Sequence, residues 1–220
     1  VMPDSVEEGT IVGMTEHIDF LQLRDFAVST ATRAAELIAA RRAELVAGDG
    51  IAAHTSTKSS DVDPVTEVDT ATEEFIATTI RTQRPGDGIF GEEGANVEST
   101  SGVTWIVDPI DGTVNFLYGV PDFAVSIGAE YQGRLVAGAV VNVARGRTYA
   151  AAAGQGATVT GPDGKAHPLQ CAHTKNPALA LVATGFGYDA QRRAAQAELL
   201  TKLLPQVRAV SYTHLTLPTN

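Results

Sequence analysis

Two segments of the chain repeat apolar residues at the spacing of an α-helix. The first covers residues 18–46 and is rich in Ala, Arg and Glu, which favour helices. Gly48 and Gly50 follow it and are typical of a helix end. A second helix is predicted over 68–83, before the turn residues 84–88. Its buried face is expected to consist of Val68, Phe75, Ile76, Thr79 and Ile80.

After residue 88 the chain changes to short apolar runs bounded by turn residues, a pattern that predicts strands. These runs are 89–90, 105–107, 124–129, 135–142 and 148–153. Gly133 and Gly146 lie in short turns between the last three runs, so we expect an antiparallel meander there. Residues 54–63 and 95–102 are polar and are predicted to be loops, and 154–164 to hold loops and a short hairpin.

The last part of the chain returns to an alternation of strand and helix. Residues 179–183 form an apolar run that predicts a strand, and 191–204 predict a helix that Pro205 ends. A further apolar segment begins at residue 207.

Residues 105–116 (WIVDPIDGTVNF) combine an apolar run with two acids. A residue before proline is pushed out of the α region, so the strand is expected to end at a sharp corner at Asp108–Pro109. Asp108 and Asp111 would then lie close together, and two carboxylates repel unless a cation sits between them. Mg²⁺ binds such oxygen ligands together with phosphate oxygens, and Gly112 would let a backbone approach an anion. The alternative is an Asp-Pro turn followed by an Asp-Gly turn.

Other acidic residues stand at the ends of predicted elements. Glu92 and Glu93 follow the run at 89–90 and lie between two glycines, a pattern that also occurs in plain surface turns. Asp69 lies in the first turn of the second helix, where a carboxylate interacts favourably with the helix dipole. Considered one at a time, each of these acidic residues is compatible with either a structural or a functional role.

The composition narrows the class of protein. A chain of 220 residues with 44% hydrophobic and 19% charged residues can bury a core in one or two domains. Its net charge of −10 argues against non-specific binding to nucleic acid, and an anionic substrate would need a cation. Cys171 is the only cysteine and is expected to be packed; residues 1–17 are expected to be a disordered lead-in. No apolar run reaches the roughly 18 residues of a membrane span, so we expect a cytoplasmic protein.

The motifs together resemble the inositol monophosphatase family, within the superfamily of metal-dependent, lithium-sensitive sugar phosphatases. The resemblance extends over about 20–209 and is strongest to the bacterial, actinobacterial-type branch. Its motifs, in matching order and spacing, are 58–60 (KSS), 63–69 (DPVTEVD), 91–94 (GEEG), 105–116, and Pro121 with 124–128 (AVSIG).

This resemblance implies a layered αβαβα sandwich of mixed α+β and α/β class. An N-terminal α+β domain over 18–177 would carry the metal site, and an α/β domain would begin at 178. The family's later Trp-Asp-x-Ala-Ala-Gly motif is absent, since Trp105 is the only tryptophan. Residues 210–220 resemble a translated sequencing adapter, so we expect a non-native tail, a second domain cut short after 209 and an impaired enzyme. A native tail is the alternative.

The resemblance also implies roles for individual residues at a site holding two to three Mg²⁺ ions. The implied metal ligands are Asp69, Glu92, Asp108, the Ile110 carbonyl and Asp111. The implied catalytic residues are Thr113 and Asp69, which would orient the attacking water, and Glu92. The implied substrate-binding residues are Asp111, Gly112 and Thr113. The residues expected to support the metal site are Lys58 and Glu93.

The implied reaction is Mg²⁺-dependent hydrolysis of a phosphate monoester, with inositol monophosphate as the substrate. A related small sugar or polyol phosphate, histidinol phosphate or a nucleotide phosphate is an alternative within the superfamily. A homodimer is expected for the full-length protein, without membrane or direct nucleic-acid contact. A different class of function also follows from the resemblance, because some bacterial homologues act as non-catalytic partners of the transcription machinery.

Overall fold

The computed structural model describes residues 18–48, 50–57 and 64–212. The fold begins with two helices that are joined by a short hairpin. The strands of the hairpin are antiparallel, and a short 3₁₀ helix, Ile51–His54, precedes them. The elements are α1 (Phe20–Ala47), β1 (Thr55–Thr57), β2 (Pro64–Thr66) and α2 (Glu67–Gln83).

Both predicted helices are confirmed, with ends that differ by at most two residues from the prediction. The carboxylate of Asp19 starts α1 by accepting the N–H of Leu21 at 2.8 Å. Gly48 ends it, donating its own N–H to the Glu44 carbonyl at 3.0 Å. The predicted loop 54–63 instead begins with the 3₁₀ helix and β1, and residues 58–63 lie outside the described part of the chain.

An eight-stranded mixed sheet follows, and one short helix interrupts its strands. The elements are β3 (Gly88–Gly91), β4 (Asn96–Val97), β5 (Val103–Asp111), α3 (Thr113–Tyr118), β6 (Ala124–Tyr131), β7 (Arg134–Asn142), β8 (Arg147–Ala152), β9 (Gly156–Thr160) and β10 (Ala166–Leu169). The strand order is β10-β9-β8-β7-β6-β5-β3-β4. Within the described residues of this sheet, β3 and β5 pair in parallel and all other neighbours are antiparallel.

The predicted antiparallel meander is confirmed and continues through β9 and β10. A two-residue turn joins β6 to β7, because Tyr131 pairs with Arg134. Both turn residues have positive φ, 52° at Gln132 and 74° at Gly133, which matches the right-handed twist of the flanking strands.

The expected strand end at Asp108–Pro109 is wrong. Strand β5 runs on to Asp111, with an irregularity in its pairing with β6. Asp108 pairs with Ser126 and Asp111 with Ala124, so three steps along β5 oppose two steps along β6. This extra residue is a bulge, and a bulge is one of the few places where a strand accepts proline, which cannot donate a ladder hydrogen bond.

Helices α1 and α2 pack on the sheet and share one hydrophobic core with β3 and β5–β8. Trp105 of β5 is fully buried beside Phe26 of α1, with ring centroids 4.9 Å apart. Its indole N–H donates to the buried Asp87 carboxylate at 2.8 Å. Asp87 also accepts a hydrogen bond from Ser101 at 2.6 Å and pairs with Arg84. The ring of Trp105 is therefore buried against apolar groups, and its N–H has a hydrogen-bond acceptor inside the core.

A small strand–helix–strand unit ends the described chain, after a 3₁₀ turn at Pro177–Leu179. Its elements are β11 (Leu181–Thr184), α4 (Ala190–Leu203), a 3₁₀ turn (Leu204–Gln206) and β12 (Ala209–Tyr212). The two strands are parallel. The predicted strand and helix are thus confirmed with shifted ends. None of the residues of α4 is buried, and Leu181 and Leu199 are 69% and 68% exposed.

Several expectations concern the ends of the chain. Residues 1–17 and 213–220 lie outside the described residues, while β12 contains residues 210–212 of the segment expected to be non-native. The division into two domains and the origin of 210–220 stay predictions. Cys171 is exposed, so the expectation of a packed thiol is wrong. Across the described part of the chain, no helix is both long and apolar enough to cross a bilayer.

Truncating a core side chain tests the packing of α2. Ile76 is 0% exposed, so Ile76→Ala should lower the free energy of unfolding by about 2–5 kcal/mol. Leu199→Ala removes a comparable side chain that is 68% exposed, and should change it by less than about 0.5 kcal/mol. Urea unfolding measures both. Equal losses in the two variants would contradict the burial described for α2.

Candidate active site

Among the described strands of the large sheet, β3 and β5 form the only parallel pair, and this pair brings two acidic segments together. In the register of β3 and β5, Gly91 lies opposite Val107. The next residue along each chain segment is an acid, so Glu92, which follows β3, lies beside Asp108 within β5. The Glu92 N–H donates to the Val107 carbonyl at 3.1 Å and continues the pairing by one residue. The topology therefore places these two predicted site residues side by side, although they are far apart in sequence.

The bulge in β5 and the glycine after it form the second part of the site. Asp111 is 7% exposed at the end of the strand. Gly112 has φ 88° and ψ 40°, which turns the chain from β5 into α3 within one residue. A Cβ atom on Gly112 would lie 3.1 Å from the Asp122 carbonyl oxygen, so the position is closely packed. As a result, Thr113 becomes the first residue of α3, where backbone N–H groups have no partner inside the helix.

Asp69 connects helix α2 to this corner. The side chain is 1% exposed and forms a capping box with Thr66, whose N–H donates to Oδ2 at 2.9 Å and whose hydroxyl also donates to it. The other carboxylate oxygen lies 3.2 Å from the Thr113 hydroxyl. That hydroxyl is also 3.0 Å from the Ile110 carbonyl, so its single proton is shared between two acceptors. Asp69 thus does more than favour the helix dipole, and the expected pairing with Thr113 is present.

Glu73 is a site residue that the sequence analysis did not single out. It lies one helical turn after Asp69 and is 4% exposed. Its carboxylate accepts the N–H of Glu93 at 2.8 Å and that of Ala95 at 2.9 Å. Helical spacing could have identified Glu73 from the sequence, because residues 69, 73, 76 and 80 share the buried face of α2.

The chemical type of the predicted ligand atoms suits a hard cation. It consists of carboxylates and one carbonyl, the oxygen ligands that Mg²⁺ prefers. One oxygen of Asp108 and one of Asp111 are buried. However, no three acidic, histidine or cysteine side chains among the described residues are grouped closely enough to hold a metal ion. Both oxygens of Asp69 are engaged by threonines.

The remaining predicted residues differ in their surroundings. Glu92 is exposed, and Glu93 is half-buried with its N–H held by Glu73. The Ile110 carbonyl accepts the Thr113 hydroxyl. Lys58 lies outside the described residues. The roles expected for these side chains stay predictions, whereas the location of Glu92, Glu93 and Ile110 around the ends of β3 and β5 is a property of the fold.

Solved structures share this architecture. SuhB of Mycobacterium tuberculosis is 41% identical, with a TM-score of 0.74 over 90% of this chain and 71% of that one. SuhB of Bartonella henselae is 26% identical, with a TM-score of 0.75 over 88% of this chain and 70% of that one. The expected fold class, a mixed sheet layered with helices, is therefore confirmed.

Sequence relatives identify the family. The pattern of the inositol monophosphatase family matches residues 19–217. Inositol-1-monophosphatase SuhB of Mycobacterium tuberculosis is 48% identical over 198 residues, which are 86% of this chain and 68% of that protein. The Nus factor SuhB of Pseudomonas aeruginosa is 40% identical over 129 residues, 57% of this chain and 46% of that protein. The chain belongs to the inositol monophosphatase family, as its motifs indicated, and is thereby a phosphatase.

Substituting Gly112 tests the close packing between β5 and α3. Gly112→Ala places a Cβ atom against the Asp122 carbonyl in a left-handed conformation. Gly133→Ala is the matched control, with φ 74° and no atom within 4 Å of the added Cβ. The control should lose about 1–2 kcal/mol of unfolding free energy, the cost of the conformation alone. Gly112→Ala should lose more, as measured by urea unfolding. Equal losses would mean that the contact with Asp122 is not tight.

Proposed function

We propose that the protein hydrolyses a phosphate monoester with the help of Mg²⁺, and that inositol monophosphate is its substrate. The observation that carries the proposal is the hydrogen bond between Asp69 and Thr113, which joins the start of α2 to the start of α3, two residues after Asp111. Family membership supports the reaction type, and the name of the mycobacterial relative, inositol-1-monophosphatase, supports the substrate.

The proposed metal site uses oxygen ligands from three elements. When bound, Mg²⁺ would neutralise phosphate charge and make water a better nucleophile. Two to three ions are proposed. Their proposed ligands are Asp69, Glu92, Asp108, the Ile110 carbonyl and Asp111, with Lys58 and Glu93 in supporting roles.

Thr113 and Asp69 are proposed to orient the attacking water. When the Thr113 hydroxyl donates to the buried Asp69 carboxylate, the lone pairs of its oxygen face away from Asp69 and can accept a proton of water. The acceptor polarises that water and fixes its direction. The first N–H groups of α3, at Gly112 and Thr113, would hold phosphate oxygens, and Asp111 would accept a hydrogen bond from a substrate hydroxyl.

The proposal also covers the choice of substrate and the oligomeric state. A sugar, histidinol or nucleotide phosphate would meet the same phosphate chemistry, so these stay alternatives to inositol monophosphate. Inhibition by lithium and a homodimeric assembly are proposed from family membership. The cytoplasmic location expected from the sequence stays a prediction.

Removing one carboxylate tests the metal dependence. Asp108→Asn keeps the shape of the side chain and removes its charge, and should lower kcat/KM by at least ~10²-fold, the upper end of the losses seen when outer contacts of a metal are removed. Asp163→Asn makes the same change in an exposed turn and should leave turnover unaltered. Phosphate release from inositol monophosphate at increasing Mg²⁺ measures both. Near-normal turnover of Asp108→Asn at saturating Mg²⁺ would refute the assignment.

Substituting Thr113 separates water orientation from covalent catalysis. Thr113→Ser retains the hydroxyl and should keep substantial activity, whereas Thr113→Ala should lose roughly 10²-fold or more in kcat, the lower range for proton-transfer catalysis. Rapid-quench mass spectrometry during turnover should detect no phosphorylated Thr113. A trapped phosphothreonine that forms and decays at the rate of turnover would establish a covalent mechanism instead.

A second candidate function is partnership with the transcription machinery, favoured by the similarity to the Nus factor SuhB of Pseudomonas aeruginosa. Binding of this kind would not require hydrolysis. A pull-down with RNA polymerase and its elongation factors therefore distinguishes the two candidates, because capture that persists in Asp108→Asn would be independent of the proposed chemistry.

A further inference from the structure

Glu73 is a buried acid to which the proposed reaction gives no role. The side chain is 4% exposed on α2, one helical turn after Asp69 and on the same side of the helix. Burying a carboxylate is costly unless it is hydrogen-bonded, so such a residue is retained where its acceptor oxygens are needed. What it accepts is therefore informative.

Both oxygens of Glu73 hold the backbone of the loop that carries Glu92. Oε2 accepts the N–H of Glu93 at 2.8 Å, and Oε1 accepts the N–H of Ala95 at 2.9 Å. Hydrogen bonds from backbone N–H groups to an ionised carboxylate are roughly twice as strong as those between neutral groups. The two bonds span three residues of the loop and fix its curvature.

The carboxylate of Glu73 also lies directly against Gly91. A Cβ atom at that position would be 2.4 Å from Oε2 and 2.6 Å from Cδ, distances that real atoms do not show. Gly91, the first glycine of the GEEG motif, therefore provides the space into which the carboxylate fits. This contact explains why a residue without a side chain stands at this position.

On its other side, the loop is tied to the sheet. The Glu92 N–H donates to the Val107 carbonyl at 3.1 Å, and the Gly91 N–H donates to the Ala95 carbonyl at 2.9 Å. The backbone on both sides of Glu92 is thus fixed, by β5 on one side and by Glu73 on the other. The exposed side chain of Glu92 projects from a rigid base next to Asp108.

We propose that Glu73 is a positioning residue of the metal site, which holds the 91–95 loop so that Glu92 remains beside Asp108. This inference rests on the proposed function, in which Glu92 is a metal ligand. A loop that is already ordered does not lose conformational freedom when the metal binds, and the affinity for the metal is higher for that reason. Partners that orient metal ligands typically change metal affinity 10- to 100-fold when they are removed.

The test replaces one acceptor oxygen with a donor. Glu73→Gln keeps the size of the side chain, but its NH₂ group then faces a backbone N–H and one of the two hydrogen bonds is lost. Glu74→Gln is the matched control, because the neighbouring side chain on α2 is 67% exposed and pairs with Arg81. Amide hydrogen exchange of the metal-free chain and calorimetric titration with Mg²⁺ are measured on all three proteins.

Glu73→Gln should increase the exchange rates of the Glu93 and Ala95 amides by at least ~10-fold and raise the Kd for Mg²⁺ by about 10- to 100-fold. Exchange in α1 should not change, and Glu74→Gln should behave like the unsubstituted chain. Unaltered exchange at both amides would overturn the proposal. Faster exchange with an unaltered Kd would also overturn it, since Glu73 would then only stabilise the loop.

Two further outcomes separate this inference from the proposed function. If the unsubstituted chain does not bind Mg²⁺, the proposed function fails and the inference fails with it. If Mg²⁺ binds but both variants bind it equally well, only the role of Glu73 is wrong. Should Glu73→Gln not fold, Gly91→Ala tests the same contact from the loop side, because the added Cβ displaces the carboxylate. An unchanged Kd in that variant would overturn the proposal.

Discussion

Asp69 and Glu73 are both almost completely buried, and a carboxylate in that position must accept enough hydrogen bonds to offset its loss of water. Each satisfies this requirement with groups from a different part of the chain. Asp69 binds Thr66 and Thr113, and Glu73 binds the loop after β3. One face of α2 therefore aligns the segment after β5 with the loop after β3. The candidate site depends on this constraint more than on any single acidic ligand.

The elements with long regular patterns were predictable from sequence, and some of the shortest were not. Helices α1 and α2 and the meander show clear periodicity, and their predicted ends are close to those observed. Helix α3 has six residues and β4 has two, too few for a period to appear. The end of β5 was misplaced because the local rule for a residue before proline is compatible with a bulge inside a strand, and only the pairing with β6 decides between the two.

The identity of the candidate site residues came from motifs and the pairing of Asp69 with Thr113 from the family resemblance, whereas the contacts of Glu73 required the fold. Asp69 and Thr113 are 44 positions apart in sequence, and no local pattern predicts that their side chains meet. Glu73 was missed for a different reason: it stands beside Glu74, and two adjacent acids on a helix are typical of a solvated surface. Only the burial of one and the exposure of the other distinguishes them. The acidic motifs therefore located the site but not the groups that hold it in place.

The environment of Trp105 gives the protein an internal optical probe. The only indole of the chain is buried in the first half of β5, against Phe26, with its N–H bonded to Asp87. Its fluorescence therefore reports on the packing of the large sheet and on the strand that ends in Asp111. The strand–helix–strand unit over 181–212 contains no tryptophan, so melting of that unit alone would leave the emission spectrum largely unchanged. Fluorescence and circular dichroism recorded together would consequently distinguish loss of the central sheet from loss of the smaller unit, without any label.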